Sequence, residues 1–146
     1  FSAKPGVPNG YGLIGGDANA VEGRKRPLSS MSPTLVFKDG KPIMATGSPG
    51  GSRIITTTLQ IIMNVIDHKM NIAEATNAVR IHHQWLPDEL RIEKGLNQDT
   101  IKLLKAKGQN VVEKEAMGST QSIMHTDQGF FGASDPRTPS ALTIGY

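Results

Sequence analysis

The chain has 146 residues, a formal net charge of +3 at pH 7, 37% hydrophobic residues and 20% charged residues. This length and composition fit one globular domain or a piece of a larger one, and they exclude an intrinsically disordered chain. Because cysteine is absent, the chain holds no disulfide, catalytic thiol or cysteine-type zinc site. The densest basic clusters, at residues 24–26 and 102–107, lack interleaved aromatic residues, so we expect solvated faces and no nucleic-acid partner.

Residues 1–33 are rich in glycine and proline and predict a long ordered loop rather than regular elements. Since the sequence opens with Phe1 and runs directly into this loop, we expect a processed product or an excised fragment of a longer protein. Within the loop, Tyr11 lies between Gly10 and Gly12, an arrangement that suits a lid with two flexible hinges. A partly buried surface tyrosine is the open alternative.

Three serine hydroxyls lie between two prolines at residues 27–33. Proline restricts the backbone on either side, so the hydroxyls of Ser29 and Ser30 can be held in fixed directions toward a ligand. Serine turns produce the same composition without any ligand, and this alternative stays open.

Residues 34–37 and 42–45 are apolar runs on either side of Asp39-Gly40 and predict a β-hairpin. The second run leads to Gly50 and Gly51, after which paired apolar residues at helical spacing predict a helix over about residues 52–69. Two glycines allow positive φ and a close approach, and the N–H groups at a helix start favour negative charge. The loop is therefore a candidate site for a phosphate, a carboxylate or an oxyanion, with an ordinary strand-to-helix turn as the alternative.

The remaining elements follow from caps, turns and periodicity. They are a helix over residues 71–79, extended runs at 81–85 and 90–93, a helix over 97–107, and strands at 111–112, 122–124 and 130–131. This mixture predicts an α/β layered domain whose later strands are antiparallel.

Several polar residues are expected to be structural or solvated rather than functional. His82 and His83 are adjacent, so on a strand they face opposite sides and are poorly placed to share a metal; no metal site is expected. Asp88 and Glu89 are expected to be solvated or paired with a neighbouring arginine. Residues 132–137 bring an aspartate and an arginine together in a tight turn, and we interpret this as a structural ion pair.

Four motifs, in this order, closely resemble the small subunit of bacterial γ-glutamyltranspeptidase, and the resemblance covers the whole chain. The motifs are PLSSMSPT at residues 27–34, GSPGGSRIIT at 47–56, HHQWLPD at 82–88 and GASDPR at 132–137. The resemblance implies an N-terminal nucleophile hydrolase, and thus an α/β (α+β) chain that is part of a four-layer αββα sandwich. Residues 1–33 would be its lid and substrate loop, and residues 34–146 its sheet and helix layers.

The family's activity is implied in the same way. Its members cleave themselves from a precursor into two subunits and hydrolyse or transfer γ-glutamyl groups through a γ-glutamyl-enzyme intermediate, without a cofactor. The resemblance implies as partners the large subunit, the upstream part of the small subunit, glutathione and other γ-glutamyl compounds, and acceptor amino acids or peptides. The expected compartment is the periplasm, with secretion as the alternative.

By resemblance, Ser29 and Ser30 bind the α-carboxylate of the glutamyl group, and the backbone N–H groups of Gly50 and Gly51 form the oxyanion hole. Tyr11 lies where the family has a lid tyrosine. The nucleophilic threonine and the acidic residue that binds the α-amino group are absent from this chain and are expected upstream. Two other hypotheses stay open: a non-catalytic anion-binding module, and a related acylase with another amide substrate.

Overall fold

The computed structural model describes residues 1–145 and shows the mixed α/β fold that the sequence predicts. Tyr146, the last residue of the predicted domain, lies outside the described residues. In chain order, the strands and helices are β1 (Thr34–Lys38), β2 (Lys41–Gly47), α1 (Ile54–Ile66), α2 (Ile72–Asn77), β3 (Ile81–His82), β4 (Leu90–Glu93), α3 (Gln98–Ala106), β5 (Val111–Lys114), β6 (Gln121–Thr126) and β7 (Gly129–Ser134). Short 3-10 turns cover Asp17–Asn19 and Gly51–Arg53.

The turn and cap residues act locally as expected. Asp39 and Gly40 have positive φ, 51° and 76°, which produces the tight turn between β1 and β2. α2 begins with a capping box in which the Asn71 side chain accepts a hydrogen bond from the Glu74 amide at 2.9 Å. α3 ends beside Gly108, whose φ of 86° suits a helix C-cap. Among residues 1–145, no helix is long and apolar enough to cross a membrane.

The strands form two sheets. One is antiparallel, with the order β1-β2-β6-β7, and the other has the order β3-β4-β5. β4 pairs antiparallel with β3 but parallel with β5. The prediction of antiparallel later strands is therefore confirmed for β6 and β7 and wrong for β5. The reason is that α3 is a crossover between these strands. It returns the chain to the end of the sheet at which β4 begins, so β4 and β5 run in the same direction.

Helices α1 and α2 pack on one face of the four-stranded sheet and enclose the core. The core side chains come from both helices and from β2 and β7. They are Met44, Ile61, Val65, Ile72, Ala75 and Ala133. The buried residues of α1 recur at helical spacing, so the periodicity that predicts the helix also directs these side chains at the sheet.

The opposite face of this sheet is apolar and exposed. Side chains alternate along a strand, so the neighbours of core residues point away from the helices. Leu35, Phe37, Ile123 and Phe130 lie on this face with exposed fractions of 53–77%. Within residues 1–145 these side chains have no covering layer, whereas sheets in a sandwich pack face to face.

A buried cluster of four charged side chains joins the two sheets. Asp135, in the turn after β7, accepts hydrogen bonds from Arg80 Nη2 at 2.6 Å and from Arg137 Nη1 at 3.2 Å. Arg137 Nε donates to Glu93 Oε1, at the end of β4, over 2.9 Å. Arg80, Asp135 and Glu93 are at most 5% exposed. The predicted ion pair of Asp135 and Arg137 is confirmed, but it is one side of this larger cluster.

Asp88 and Glu89, the carboxylates before β4, do not pair with arginine. The prediction that they pair with a neighbouring arginine is therefore wrong. Glu89 pairs with Lys114 of β5, because the parallel pairing of β4 and β5 places the two elements side by side. Asp88 is solvated, as the other alternative predicts, and its Oδ1 lies 3.3 Å from His83 Nε2. Arg91 pairs instead with a carboxylate on the segment that follows β5, at 2.7 Å.

Both carboxyl groups of the buried cluster are ionised. Burial raises the pKa of Asp135, but hydrogen bonds from the Thr120 and Arg137 amides and from the Arg80 side chain outweigh it and hold this pKa below the ordinary 3.8. Burial also raises the pKa of Glu93. Hydrogen bonds from the Arg137 side chain and from two backbone amides outweigh this effect and hold the pKa of Glu93 below the ordinary 4.5. Each carboxylate therefore stabilises the fold above its ordinary pKa, and this stabilisation is lost as the pH falls through the lower folded pKa.

Replacing Asp135 by alanine leaves the Arg80 guanidinium buried without its carboxylate. We expect the free energy of unfolding of the full-length protein to fall by about 3–5 kcal/mol at pH 7. The difference from wild type should shrink as the pH falls below 3.8, because the unfolded wild-type chain then binds a proton at Asp135, whereas the folded protein does so only at its lower pKa. Urea unfolding measures both effects. Asp127→Ala, in the exposed turn between β6 and β7, is the control and should change stability by less than about 0.5 kcal/mol; equal losses in the two variants would contradict the expectation.

Candidate active site

A cavity of about 630 Å³ lies between the loop of residues 1–33 and the start of α1. Tyr11, Ser29, Ser30 and Gly51 line it. Gly50, the fifth residue predicted for the site, does not itself line the cavity and directly precedes Gly51, which does. Residues that are up to 40 positions apart in sequence are thus brought to one concave surface, although their individual roles stay predictions.

The Gly50-Gly51 loop has the backbone that its sequence predicts. Gly50 has φ 142° and Gly51 has φ 61°, both in the region that favours glycine. A 3-10 turn begins at Gly51 and continues directly into α1, and no side chain caps it. Among residues 1–145, the amides of Gly50 and Gly51 have no protein acceptor. Two donors at a helix start are therefore free for an anion.

A neighbouring segment holds this loop in place. The Ser48 hydroxyl accepts a hydrogen bond from the Ser119 amide at 3.0 Å and donates to the Pro49 carbonyl at 2.7 Å. The Gly118 Cα lies 3.7 Å from the position that a Cβ would take on Gly50. The donors of the loop are thus supported by tertiary packing as well as by the local turn.

The ring of Tyr11 lies directly against Gly51. A Cβ added to Gly51 would lie 2.6 Å from Tyr11 Cε1 and 2.8 Å from its Cδ1, closer than real contacts allow. The Asn9 side chain accepts hydrogen bonds from the amides of Tyr11 and Leu13 at 2.9 and 3.1 Å, which makes the turn around Tyr11 stiff. The close approach predicted at the glycines is therefore confirmed, and the group that approaches is the proposed lid.

The two serines occupy different environments. Ser29 is exposed, and its hydroxyl accepts a hydrogen bond from the Met31 amide at 3.2 Å. Ser30 is half-buried, and its carbonyl accepts from the Ser32 hydroxyl at 3.1 Å. The loop is thus a serine turn that lines the cavity, so the two interpretations of this sequence are compatible. Binding of a carboxylate by these serines stays a prediction.

Sequence reasoning assigned no function to Gln84, which connects the lid to the glycine loop. Its Oε1 lies 2.7 Å from the Ser52 hydroxyl and 3.0 Å from His82 Nε2. Its Nε2 donates to the backbone carbonyls of Tyr11 and Leu86, each at 3.0 Å. The only signal in the sequence was a polar residue inside the HHQWLPD motif.

The partners of Gln84 determine the protonation of His82. Backbone carbonyls only accept hydrogen bonds, so the amide nitrogen of Gln84 must face them and its oxygen must face His82. His82 Nε2 therefore carries a proton, and Nδ1 lies 2.8 Å from the Thr56 hydroxyl oxygen, which also lies 3.1 Å from the Arg53 carbonyl. Burial, with the nearby charge of Arg53, lowers the pKa of His82, which favours this neutral form.

His82 and His83 lie in different environments. His82 is buried and His83 is exposed, as their adjacency in an extended segment predicts. Among residues 1–145, no group of three histidine, aspartate or glutamate side chains is arranged to hold a metal ion.

Comparison with known proteins identifies the class of the fold. The chain superposes with a TM-score of 0.90 on the Helicobacter pylori γ-glutamyltranspeptidase T380A mutant, at 57% identity, covering 94% of this chain and 77% of that one. It also superposes with a TM-score of 0.90 on the γ-glutamyltranspeptidase of Pseudomonas nitroreducens complexed with L-DON, at 40% identity, covering 100% of this chain and 78% of that one. These neighbours confirm the predicted N-terminal nucleophile hydrolase class.

The family follows from the sequence match. The γ-glutamyltranspeptidase family model matches residues 1–144, and the chain belongs to this family. It is 71% identical over 147 aligned positions to the glutathione hydrolase proenzyme of Escherichia coli (strain K12), covering 100% of this chain and 25% of that protein. The chain thus spans about a quarter of the length of the curated relatives it matches, and these relatives are proenzymes.

A double-mutant cycle separates the two constraints on Gly51. Gly51→Ala introduces backbone strain at φ 61° and a collision with the Tyr11 ring. In a Tyr11→Ala background only the strain remains, roughly 1–2 kcal/mol, so Gly51→Ala should cost less there than beside the native tyrosine. Urea unfolding of the four full-length proteins gives the coupling. Equal costs in both backgrounds would show that the ring does not pack on Gly51 in solution.

Proposed function

We propose that this chain is the C-terminal part of the small subunit of a γ-glutamyltransferase/glutathione hydrolase. The complete enzyme would cleave γ-glutamyl amides through a γ-glutamyl-enzyme intermediate and pass the glutamyl group to water, an amino acid or a peptide. Glutathione and related γ-glutamyl compounds are the proposed donors. The nucleophilic threonine would come from the segment upstream of Phe1, which fits the quarter of its relatives' length that the chain spans.

The observation that carries this proposal is the free pair of amides at Gly50 and Gly51 beside a cavity. When a nucleophile adds to the γ-carbonyl, the carbonyl oxygen becomes an anion and requires donors that are already directed at it. Backbone amides at a helix start meet this requirement without reorganisation, and losing one such donor typically costs about 10²–10³ in kcat.

The other cavity residues suit the rest of the donor. Ser29 and Ser30 line the same cavity as Gly51, and we propose that they bind the α-carboxylate of the glutamyl group. The Tyr11 ring covers Gly51 and would exclude water and retain the substrate.

We propose that the large subunit and the upstream part of the small subunit complete the fold. The exposed Leu35, Phe37, Ile123 and Phe130 present an apolar sheet face that a second sheet would cover. β1 and β7 are the outer strands of that sheet among the described residues, and unpaired edges of this kind favour addition of further strands.

By analogy with bacterial members, we propose a periplasmic location.

The proposal that the nucleophile lies outside this chain can be tested with the chain alone. Residues 1–146 are expected to be inactive on γ-glutamyl anilides, because the free amine and hydroxyl of the N-terminal nucleophile are supplied by a missing residue. The matured full-length protein should release the aniline, which is followed by absorbance. Turnover by the isolated chain, with its mass verified, would contradict the assignment of the nucleophile upstream.

The serines are tested with two donors in the full-length protein. Ser29→Ala with Ser30→Ala should lower kcat/KM for a γ-glutamyl donor severely, since each hydrogen bond to a charged group contributes about 1.5–3 kcal/mol. The loss should shrink for an analogue that lacks the α-carboxylate. Thr100→Ala is the control, because Thr100 is exposed in α3 and does not line the cavity. An equal loss with both donors would show that Ser29 and Ser30 are structural.

A further inference from the structure

The segment that carries Tyr11 is attached to the rest of the fold by few polar contacts. Its hydrogen bonds are internal, for example Gly6 N to Gly15 O at 2.8 Å and Asn9 N to Leu13 O at 2.9 Å. In the described part of the chain, a single hydrogen bond joins residues 1–25 to residues 26–145: Gln84 Nε2 to Tyr11 O. The polar attachment of the lid therefore depends on one side chain.

The same side chain also holds the glycine loop. Gln84 Oε1 accepts a hydrogen bond from the hydroxyl of Ser52, the residue after Gly51, at 2.7 Å. One carboxamide thus spans from the backbone of the lid residue to the start of the helix that supplies the free amides. Because an amide is planar and rigid, it sets the separation of these two segments.

The orientation of this carboxamide is fully specified. Both hydrogens of its nitrogen have carbonyl acceptors, on Tyr11 and Leu86, and its oxygen has two donors, on Ser52 and His82. A rotation of the amide by half a turn would place its oxygen against two carbonyl oxygens. Only glutamine has both the length and the donor and acceptor set for these four contacts.

We propose that Gln84 is a positioning residue that latches the lid segment in its closed position over Gly51. Release of the Gln84–Tyr11 bond would let the Tyr11 turn move away as a stiff unit, whereas the Ser52 contact would keep Gln84 with the body of the fold. For its kinetic consequence this inference rests on the proposed function: the latch would retain the γ-glutamyl donor without touching it.

The test uses Gln84→Glu in the full-length protein. This change keeps the size of the side chain but replaces the donor that faces Tyr11 O and Leu86 O by a carboxylate oxygen. Gln60→Glu is the matched control. Gln60 also bridges backbone groups, with Nε2 2.8 Å from Thr56 O and 2.9 Å from Ile81 O, but it has no hydrogen bond to the lid.

Lid motion is read from a nitroxide on Gly10→Cys, since a Cβ at Gly10 meets nothing within 4 Å and residues 1–146 contain no other cysteine. Cysteines elsewhere in the full-length protein are replaced by serine. We expect a more mobile spectrum in Gln84→Glu and an unchanged one in Gln60→Glu. KM for a γ-glutamyl donor should rise roughly 2- to 10-fold per lost hydrogen bond, with a smaller change in kcat.

An unchanged spectrum in Gln84→Glu, or the same increase in mobility in Gln60→Glu, overturns the latch. If Gln84→Glu does not fold, Gln84→Met, which has similar length and no comparable donor, decides by the same two criteria. If the label responds as expected but the wild-type protein turns over no γ-glutamyl compound, the latch stands and the proposed function falls.

Discussion

The relative positions of the two sheets and of the glycine loop depend on the buried charges of Arg80, Asp135 and Glu93. Removing such ions from water costs several kcal/mol each, so they are tolerated only with close partners of opposite charge and satisfied hydrogen bonds. The carboxylates also accept from the backbone: Asp135 from the Thr120 amide at 2.7 Å, and Glu93 from the Met117 amide at 2.6 Å. The cluster thereby fixes both ends of the short segment of residues 117–120, as well as the two sheets.

That segment carries the constraint from the cluster to the site. Gly118, in its middle, has φ 68°, and a Cβ there would lie 2.5 Å from Ser48 Oγ and 3.2 Å from Thr57 Cγ2. The backbone can therefore press against the residues before Gly50 only because no side chain intervenes. A path of packed groups leads from buried ions to two free amides, with Gln84 linking the other side of the same loop to the lid.

Local features of the fold were predictable because their causes are local. The Asp39-Gly40 turn, the capping box at Asn71 and the C-cap at Gly108 each depend on residues within about four positions. The parallel pairing of β4 with β5 was mispredicted, since strand direction depends on where a crossover helix packs. The pairing of Glu89 with Lys114 was missed for the same reason, because it exists only once these strands are neighbours.

By itself, the sequence determined the helices, most strands, the positive φ of Gly50 and Gly51, and, through four motifs, the family. These properties reside in residue type and spacing, which a linear pattern records. Only the tertiary structure decided that Tyr11 lies against Gly51, that Gln84 joins the lid to Ser52, and that Arg80 shares Asp135 with Arg137. Each of these contacts joins residues from separate elements, and the energy that selects them, burial of apolar surface and pairing of desolvated charge, exists only when the elements are packed together.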